Sequence, residues 1–349
     1  MTSAPEPEGG NSLQYRTLPG TDLTVSAIAL GTGNLGSALD SAASFHLLDR
    51  FVDHGGTFLD SARVYAAWIP GGMGISERTI GQWLRLRKHA SAMVIGTKGG
   101  HPDLDTMNVP RLDRAHIISD CENSLRDLEC DAIGLYWLHR DDETRPVDDM
   151  LETLESLVTA GKIRVYGCSN WTPIRMQAAR EAAQMHHYQG FVANQPMWSL
   201  ATINPGAIVD PTMKWMDAAM WTFHRSTSMA VVPYTAQAHG FFTKAAAGIA
   251  ALPEDLRRAY DNPSNLQQLG RLQHWAAQLQ QSVGALALAY LISQPDFITI
   301  PVIGANHPWQ LEESLSAADL TLSAEIFQDL DRPFESKASA GNPNDRVSG

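Results

Sequence analysis

The sequence predicts an α/β protein: a (β/α)8 TIM barrel, entered through an N-terminal β-hairpin and followed by extra C-terminal helices. Three observations predict it. Eight short β-branched or apolar runs recur along the chain, each followed by a helical pattern. Strands that alternate with helices of this length form parallel βαβ units. Most of the runs are apolar almost throughout, as strands buried on both faces must be. Finally, no linker or shift of composition divides residues 13–334, and a closed barrel uses roughly 250 residues or more as one domain. A doubly wound sheet with a second domain is the competing architecture.

Taken in order, residues 1–12 ("MTSAPEPEGGNS") and 335–349 ("ESKASAGNPNDRVSG") are small, polar and rich in Gly, Pro and Asn; both are expected to be mobile tails. "LQYRTLPGTDLTVS" reads as two short strands around the turn "PGTD". The eight strands are "SAIALG", "TFLD", "AMVIGTK", "AIGLYWLH", "RVYGCSN", "GFVANQ", "MAVVPY" and "FITIPVIG". Between them, "SFHLLDRFVDHG" ends at Gly55 as a helix should. "SERTIGQWLRLRK" opens on Ser76, which predicts an N-cap there. "HIISDCENSLRDLE", "DDMLETLESLVTAGK", "TPIRMQAAREAAQ" and "MKWMDAAMWTFHRS" follow as helices. The pair "NLQQLGRLQHWAAQLQQ" and "VGALALAYLISQ" precedes the eighth strand, and "HPWQLEESLSAA" is the last helix.

The chain has 349 residues, 44% hydrophobic and 18% charged, ample for a large core. Its formal net charge of −12 leaves no excess of cations to neutralise phosphates. That argues against nucleic acid or an anionic membrane as a partner and leaves a small molecule. The longest apolar run, "GALALAYLI", is too short to span a bilayer. The N-terminus lacks the basic start and apolar core of a signal peptide. Cys121, Cys130 and Cys168 are odd in number and form no C-x-x-C pair, which reads as thiols in a reducing cytosol. A cytoplasmic protein is expected. No metal site is expected either: His186 and His187 are adjacent, and adjacent residues on a helix do not share a face.

In a barrel the active site lies at the carboxyl ends of the strands. Asp60 ends the second strand and Tyr65 follows in the next loop. Lys98 ends the third, His139 the fourth, and Tyr234 the seventh. The fifth ends in Ser169 and Asn170, the sixth in Asn194 and Gln195. Asp60, Tyr65, Lys98 and His139 make a coherent acid site. A free Tyr has a pKa near 10; an ammonium beside it stabilises the phenolate and is expected to lower that pKa. Asp60 would pair with Lys98, His139 would donate to a carbonyl oxygen, and Tyr65 would protonate that oxygen as hydride arrives at carbon. Each residue has an ordinary structural explanation taken singly. Four on successive strand ends are hard to explain that way.

"TFLDSARVY", "VIGTKGG", "LYWLHRDD", "YGCSNW" and "VVPYTAQAHGFF" together resemble the aldo-keto reductases, in the family's order, from about residue 14 to 320. The resemblance implies a working enzyme with Asp60, Tyr65, Lys98 and His139 as the catalytic tetrad. It implies that Ser169, Asn170 and Gln195 hold a nicotinamide carboxamide and that Tyr234 stacks on the ring. The turn with Thr235, Gln237 and Gly240 would then run beside the pyrophosphate. Some members of this fold are instead redox-sensing partners of membrane proteins, so a cofactor-binding regulatory subunit is the alternative.

The stretch "GTGNLG", Gly31 to Gly36, fits the glycine pattern of a Rossmann loop, with Asp60 about where a ribose-binding carboxylate would sit. The helix of a Rossmann unit begins within its glycines, whereas "SALDSAAS" delays it here. The resemblance instead ends the first strand at Gly31 and Thr32 beside the nicotinamide, with Gly33 leaving room over the site. At the adenosine end, Gly304, Ala305, Gln310, Glu313 and Ser314 fall where the family binds the 2′-phosphate, with Asn306 and His307 nearby. Gln310 stands where the family has Arg, so a bidentate cation is missing. NADPH is expected, and the missing cation also admits NADH. For substrate, Trp68, Arg140 and Trp198, with His139, are candidate contacts, and Trp137, Trp171, Asp141 and Asp142 lie close in sequence. Tryptophans at a barrel mouth stack on sugars or aromatic rings; a sugar-type or other small polar aldehyde is expected.

Overall fold

Two antiparallel strands open the chain, β1 (Tyr15–Thr17) and β2 (Thr24–Ser26), paired from Tyr15–Ser26 to Thr17–Thr24. Gly20 sits in the turn at φ 73°, a conformation that costs glycine little. The computed structural model describes residues 13–89 and 92–331; the two expected tails, 1–12 and 335–349, lie outside the described residues.

The main sheet has eight parallel strands: β3 (Ala29–Gly31), β4 (Phe58–Asp60), β5 (Val94–Gly99), β6 (Ile133–Leu138), β7 (Ile163–Ser169), β8 (Ala193–Gln195), β9 (Ala230–Val231) and β10 (Val302–Ile303). They run in the order β10-β3-β4-β5-β6-β7-β8-β9. The ring closes between its ends. Val231 N donates to Ile298 O (2.8 Å), Ile300 N to Val231 O (2.9 Å) and Val302 N to Pro233 O (2.9 Å). Inside the ring, Phe58, Leu135, Trp137, Val165, Ala193, Val232 and Ile300 form one buried cluster. Leu18, Leu23 and Val25 of the hairpin join it, so the hairpin plugs one end and leaves the other for the site.

The helices wrap this ring: α1 (Ser41–Asp53), α2 (Ile75–Arg87), α3 (Arg114–Leu128), α4 (Val147–Thr159), α5 (Pro173–His186), α6 (Ala218–Thr227), α7 (Phe241–Ala247), α8 (Glu254–Tyr260), α9 (Pro263–Leu279), α10 (Val283–Ile292), α11 (Pro308–Leu315) and α12 (Ala324–Leu330). Local chemistry starts many of them. Asp40, Asp113, Thr172, Asp217, Asn262, Ser282 and Ser323 each accept an N–H of the first turn. α10 is apolar on every side and wholly buried between Ala285 and Ile292.

Two local expectations need correction. Ser76 is not an N-cap: Gly74 is, in the left-handed region, and Ser76 lies inside α2 with its hydroxyl donating to Thr32 O at 2.8 Å. A tertiary partner took the hydroxyl that local capping would have used. Likewise Met213–Met216 are not helical, because Asp217 caps α6 and the preceding segment pairs with Met197 instead.

Candidate active site

Register brings the first two site residues together. β4 pairs with β5 so that Asp60 lies opposite Gly96, and Lys98 follows two residues on, on the same face. A Cβ at position 96 would crowd Phe58 and Trp137 at 3.1 and 3.2 Å. Glycine there leaves the barrel interior to Phe58, Trp137 and the Asp60 carboxylate. Asp60 and Lys98 are both buried. Lys98 Nζ donates to Asp60 Oδ2 (2.6 Å), to Ser61 O (2.6 Å) and to Tyr65 Oη (3.2 Å), which uses all three of its protons. From across the barrel, Gln195 Nε2 donates to Asp60 Oδ1 at 3.0 Å. Gln195, Asp60, Lys98 and Tyr65 therefore form one hydrogen-bonded line, buried as far as Lys98 and half-buried at Tyr65.

The electrostatics follow from burial and pairing. Burial opposes charge on Lys98, but Asp60 and Tyr65 together outweigh it and hold the ammonium above its ordinary range. For Tyr65 the balance differs from the sequence expectation. Burial pushes the phenol up, and Lys98, which pulls it down, does not overcome that. The phenol is thus kept protonated, with an ammonium poised to receive the phenolate. His139 follows β6 and its backbone N–H donates to Gly99 O at 2.9 Å. Its ring meets that of Tyr65 edge-on at 6.3 Å. Burial first, then Arg140, His101 and Lys98, hold the imidazole well below its usual pKa. It is a neutral ring, and its Nδ1 is buried without a partner among the described residues.

The loop that carries Tyr65 is anchored at several points. Ser61 N donates to Gly96 O and Arg63 N to Lys98 O. The Arg63 guanidinium pairs with Glu77 of α2 at 3.0 Å and with Asp127 of α3. Glu77 is fully buried and also accepts from Thr97 Oγ1 at 2.7 Å.

The residues expected around a cofactor fall into two groups. Ser169, Asn170 and Gln195 sit buried, side by side, at the ends of β7 and β8. Ser169 Oγ donates to Gln195 O (2.9 Å), Asn170 Nδ2 to His139 O (3.2 Å), and Tyr234 Oη to Asn170 Oδ1 (2.8 Å). Gly31 and Thr32 lie at the end of β3, with Thr32 N donating to Asp60 O at 3.0 Å. A Cβ on Gly33 would come within 3.9 Å of the Tyr65 ring. The second group runs from Thr235 to Gly240 and across to α11. Thr235, Ala238, His239 and Gly240 have φ of 57°, 47°, 53° and 77°, and the turn is closed by Ala238 N donating to Thr235 O and Gly240 N to Gln237 O, both at 2.8 Å. Gly304 N donates to Gln237 Oε1 (3.0 Å), and Gln237 Nε2 donates to Ser314 Oγ (2.8 Å). Gln237, Gly240, Glu313 and Ser314 line one small pocket. Gln310 caps α11: its Oε1 accepts from Asn306 N (2.8 Å) and His307 N (3.2 Å). Buried amides beside an aromatic ring, then a tight turn, then the opening of a helix, fit a nicotinamide dinucleotide.

On the substrate side the tryptophans divide. Trp137 and Trp171 are fully buried core residues, and Trp198 packs edge-on against Trp221 at 5.6 Å. Trp68 alone of the four is exposed, at 58%. Arg140 is held by Thr212 Oγ1 (2.9 Å) and Asp210 Oδ2 (3.3 Å), while its Nη1 donates to His139 O (3.0 Å). Asp141 faces away, paired with Arg175 at 2.9 Å, and Asp142 accepts from Thr144. Two features escape the sequence reading. His101, three residues past Lys98, packs edge-on to His139 at 4.7 Å. The β8–α6 segment seats Lys214 N on Asn170 Oδ1 at 3.1 Å. A cleft of about 830 Å³ opens along that segment, lined by Met197, Trp198, Asp210, Met213, Trp215 and Tyr260. The spacing of His101 from Lys98 was a usable signal; the loop's contacts, made to residues about 40 to 70 positions away, were not.

The model of the "Aldo/keto reductase family" matches residues 27–333. The chain is 28% identical to the uncharacterized oxidoreductase YrpG of Bacillus subtilis, over 92% of this chain and 96% of that one. It is 26% identical to an aryl-alcohol dehydrogenase [NADP(+)] of Phanerodontia chrysosporium, over 94% and 87%. It is also 26% identical to a probable voltage-gated potassium channel subunit beta of Oryza sativa subsp. japonica, over 93% and 98%. The chain belongs to the aldo/keto reductase family and is an NAD(P)H-dependent oxidoreductase.

Proposed function

We propose that the chain reduces an aldehyde to the alcohol, with NADPH as its cofactor and Asp60, Tyr65, Lys98 and His139 as its catalytic residues. The single observation that carries this reading is the hydrogen-bonded line from buried Asp60 through Lys98 to Tyr65, with a neutral His139 beside it. A reduced nicotinamide held beside these residues would supply hydride to the carbonyl carbon. The oxygen gains the electron pair of the C=O π bond and takes the phenol proton of Tyr65; Lys98 then faces the phenolate and steadies it. His139, uncharged, has one N–H with which to orient that oxygen. Ser169, Asn170 and Gln195 would hold the carboxamide, Tyr234 the ring face, and Thr235, Gln237 and Gly240 the pyrophosphate. Gly304, Gln310, Glu313 and Ser314 would flank the adenosine. Residues 13–334 act as one domain in this reading. The three cysteines stand as free thiols, which supports a reducing compartment such as the cytoplasm.

A sugar-type or other small polar aldehyde is our reading of the substrate. Its support is Arg140, with Asp210 and Thr212 around it, more than stacking, since only Trp68 among the expected tryptophans is open. The experiment is titration with NADPH and NADH by fluorescence, then turnover of sugar and aromatic aldehydes by absorbance decay. Tyr65→Phe should cut kcat by a factor of about 100 to 10,000 while cofactor binding holds. A near-normal kcat would remove Tyr65 as the acid. The likeness to the potassium channel subunit favours one other reading, a cofactor-binding regulatory subunit. NADPH binding with no turnover of any aldehyde would select it.

A further inference from the structure

We propose that His101 and Arg140 form a subsite for a hydroxyl on the carbon next to the carbonyl, so that the site selects α-hydroxy aldehydes over their deoxy analogues. The proposal rests on the reductase reading above. His101 and Arg140 follow the ends of neighbouring strands: Gly99 of β5 lies opposite Leu138 of β6, so both residues emerge at the same level of the barrel mouth, beside His139. The His101 ring lies 4.7 Å from that of His139, edge to face. A group one carbon from an oxygen held by His139 is thus within its reach.

The chemistry of His101 is fixed by its neighbours. Its Nδ1 lies 2.7 Å from Pro102 O. A carbonyl oxygen only accepts, so Nδ1 carries the proton. Burial first, and Arg140 next, hold this ring below its usual pKa, so Nε2 keeps a lone pair and accepts. Among the described residues the ring's one hydrogen bond is that of Nδ1, which leaves the Nε2 lone pair for a ligand. Its backbone is held rigidly. Gly100 N donates to Asp120 Oδ2 (2.9 Å) and Arg111 Nη1 to His101 O (3.1 Å).

Arg140 supplies the complementary donor. Three of its five N–H groups go to Thr212, Asp210 and His139 O, which leaves two. Asp210 balances its charge, so the pair is suited to a neutral hydroxyl. A hydroxyl donates once and accepts twice; Nε2 of His101 takes its proton and Arg140 meets its lone pair. Beside them His139 is more than nine-tenths buried, and its Nδ1 has no partner among the described residues.

The test compares kcat/KM for lactaldehyde and propionaldehyde, which differ by that one hydroxyl, in the wild-type chain with NADPH. The expected ratio is about 10 or more in favour of lactaldehyde, since a buried hydrogen-bonding site rejects a partner that lacks the group. His101→Phe keeps the ring and removes the acceptor; the ratio should fall toward 1. Arg140→Met, read the same way, serves if the Phe variant fails to bind NADPH. A wild-type ratio near 1, or a ratio unmoved by both substitutions, overturns the subsite and leaves the reductase reading standing. NADPH binding without turnover of either aldehyde, or of any other in the panel, overturns both.

Discussion

His224 shows how one buried side chain makes the fold sensitive to acid. Its Nδ1 donates to Met229 O at 3.0 Å and its Nε2 faces Asn194 Nδ2 at 3.1 Å, so the ring is seated as a neutral acceptor at Nε2. Burial lowers its pKa to about 4. His101 and His139 are shifted in the same direction, His139 further. The unfolded chain binds protons at these sites below about pH 6.5, where the folded chain does not. Stability therefore falls as pH falls below that point, and His224 ceases to add to the slope once pH passes about 4. Each fully shifted ring contributes about 1.4 kcal/mol per pH unit inside its window. Denaturant unfolding between pH 7 and 4.5 should show this loss, and His224→Gln should flatten the slope by up to that amount. A slope unchanged by the substitution would mean that the ring is not buried neutral.

The loop after β4 depends on contacts made by two helices. Arg63 lies between Glu77 of α2 and Asp127 of α3, and Glu77 has no exposure to water. Removing the guanidinium strands a buried carboxylate, which costs about 3–5 kcal/mol in comparable pairs. Arg63→Met should lower unfolding free energy by that order, and adding Glu77→Gln should restore much of it. Unfolding free energy within error of wild type for Arg63→Met would show that the pair is not coupled to the fold. The Tyr65 loop also illustrates what was readable in the sequence. Asp60, Lys98 and His139 were legible because strand ends in a parallel barrel converge wherever they lie in the chain. Arg63 was not, because its partners sit 14 and 64 residues away on helix faces that periodicity does not orient relative to each other. α7, α8 and α12 were missed for a different reason. Each has only seven residues, too few for an amphipathic pattern to show.

At the scale of the whole molecule, the candidate cofactor residues come from both sides of the barrel seam. Gly31 and Thr32 lie on β3, Ser169, Asn170 and Gln195 on β7 and β8, Thr235 to Gly240 beyond β9, and Gly304 to Ser314 beyond β10. A dinucleotide held by all of them would tie together strands that otherwise meet through few backbone bonds at β9 and β10. Ligand bound only to the folded chain stabilises it by about 2.7 kcal/mol at a hundred times its Kd, so the unfolding midpoint should rise with NADPH concentration. On the proposed placement of the adenosine, Gln310 is the residue to test for the choice between the two nicotinamide cofactors. Its side chain is spent on the N-terminus of α11, and it brings no positive charge to a 2′-phosphate. Gln310→Arg exchanges a capping interaction, worth about 1 kcal/mol, for a guanidinium at the same turn. The unliganded variant should therefore unfold slightly earlier. The midpoint gain with NADPH should rise relative to that with NADH, because only NADPH carries the extra phosphate for the guanidinium to meet. Equal gains with the two cofactors, before and after the substitution, would show that position 310 does not face the phosphate and that another part of the α11 opening reads the adenosine end.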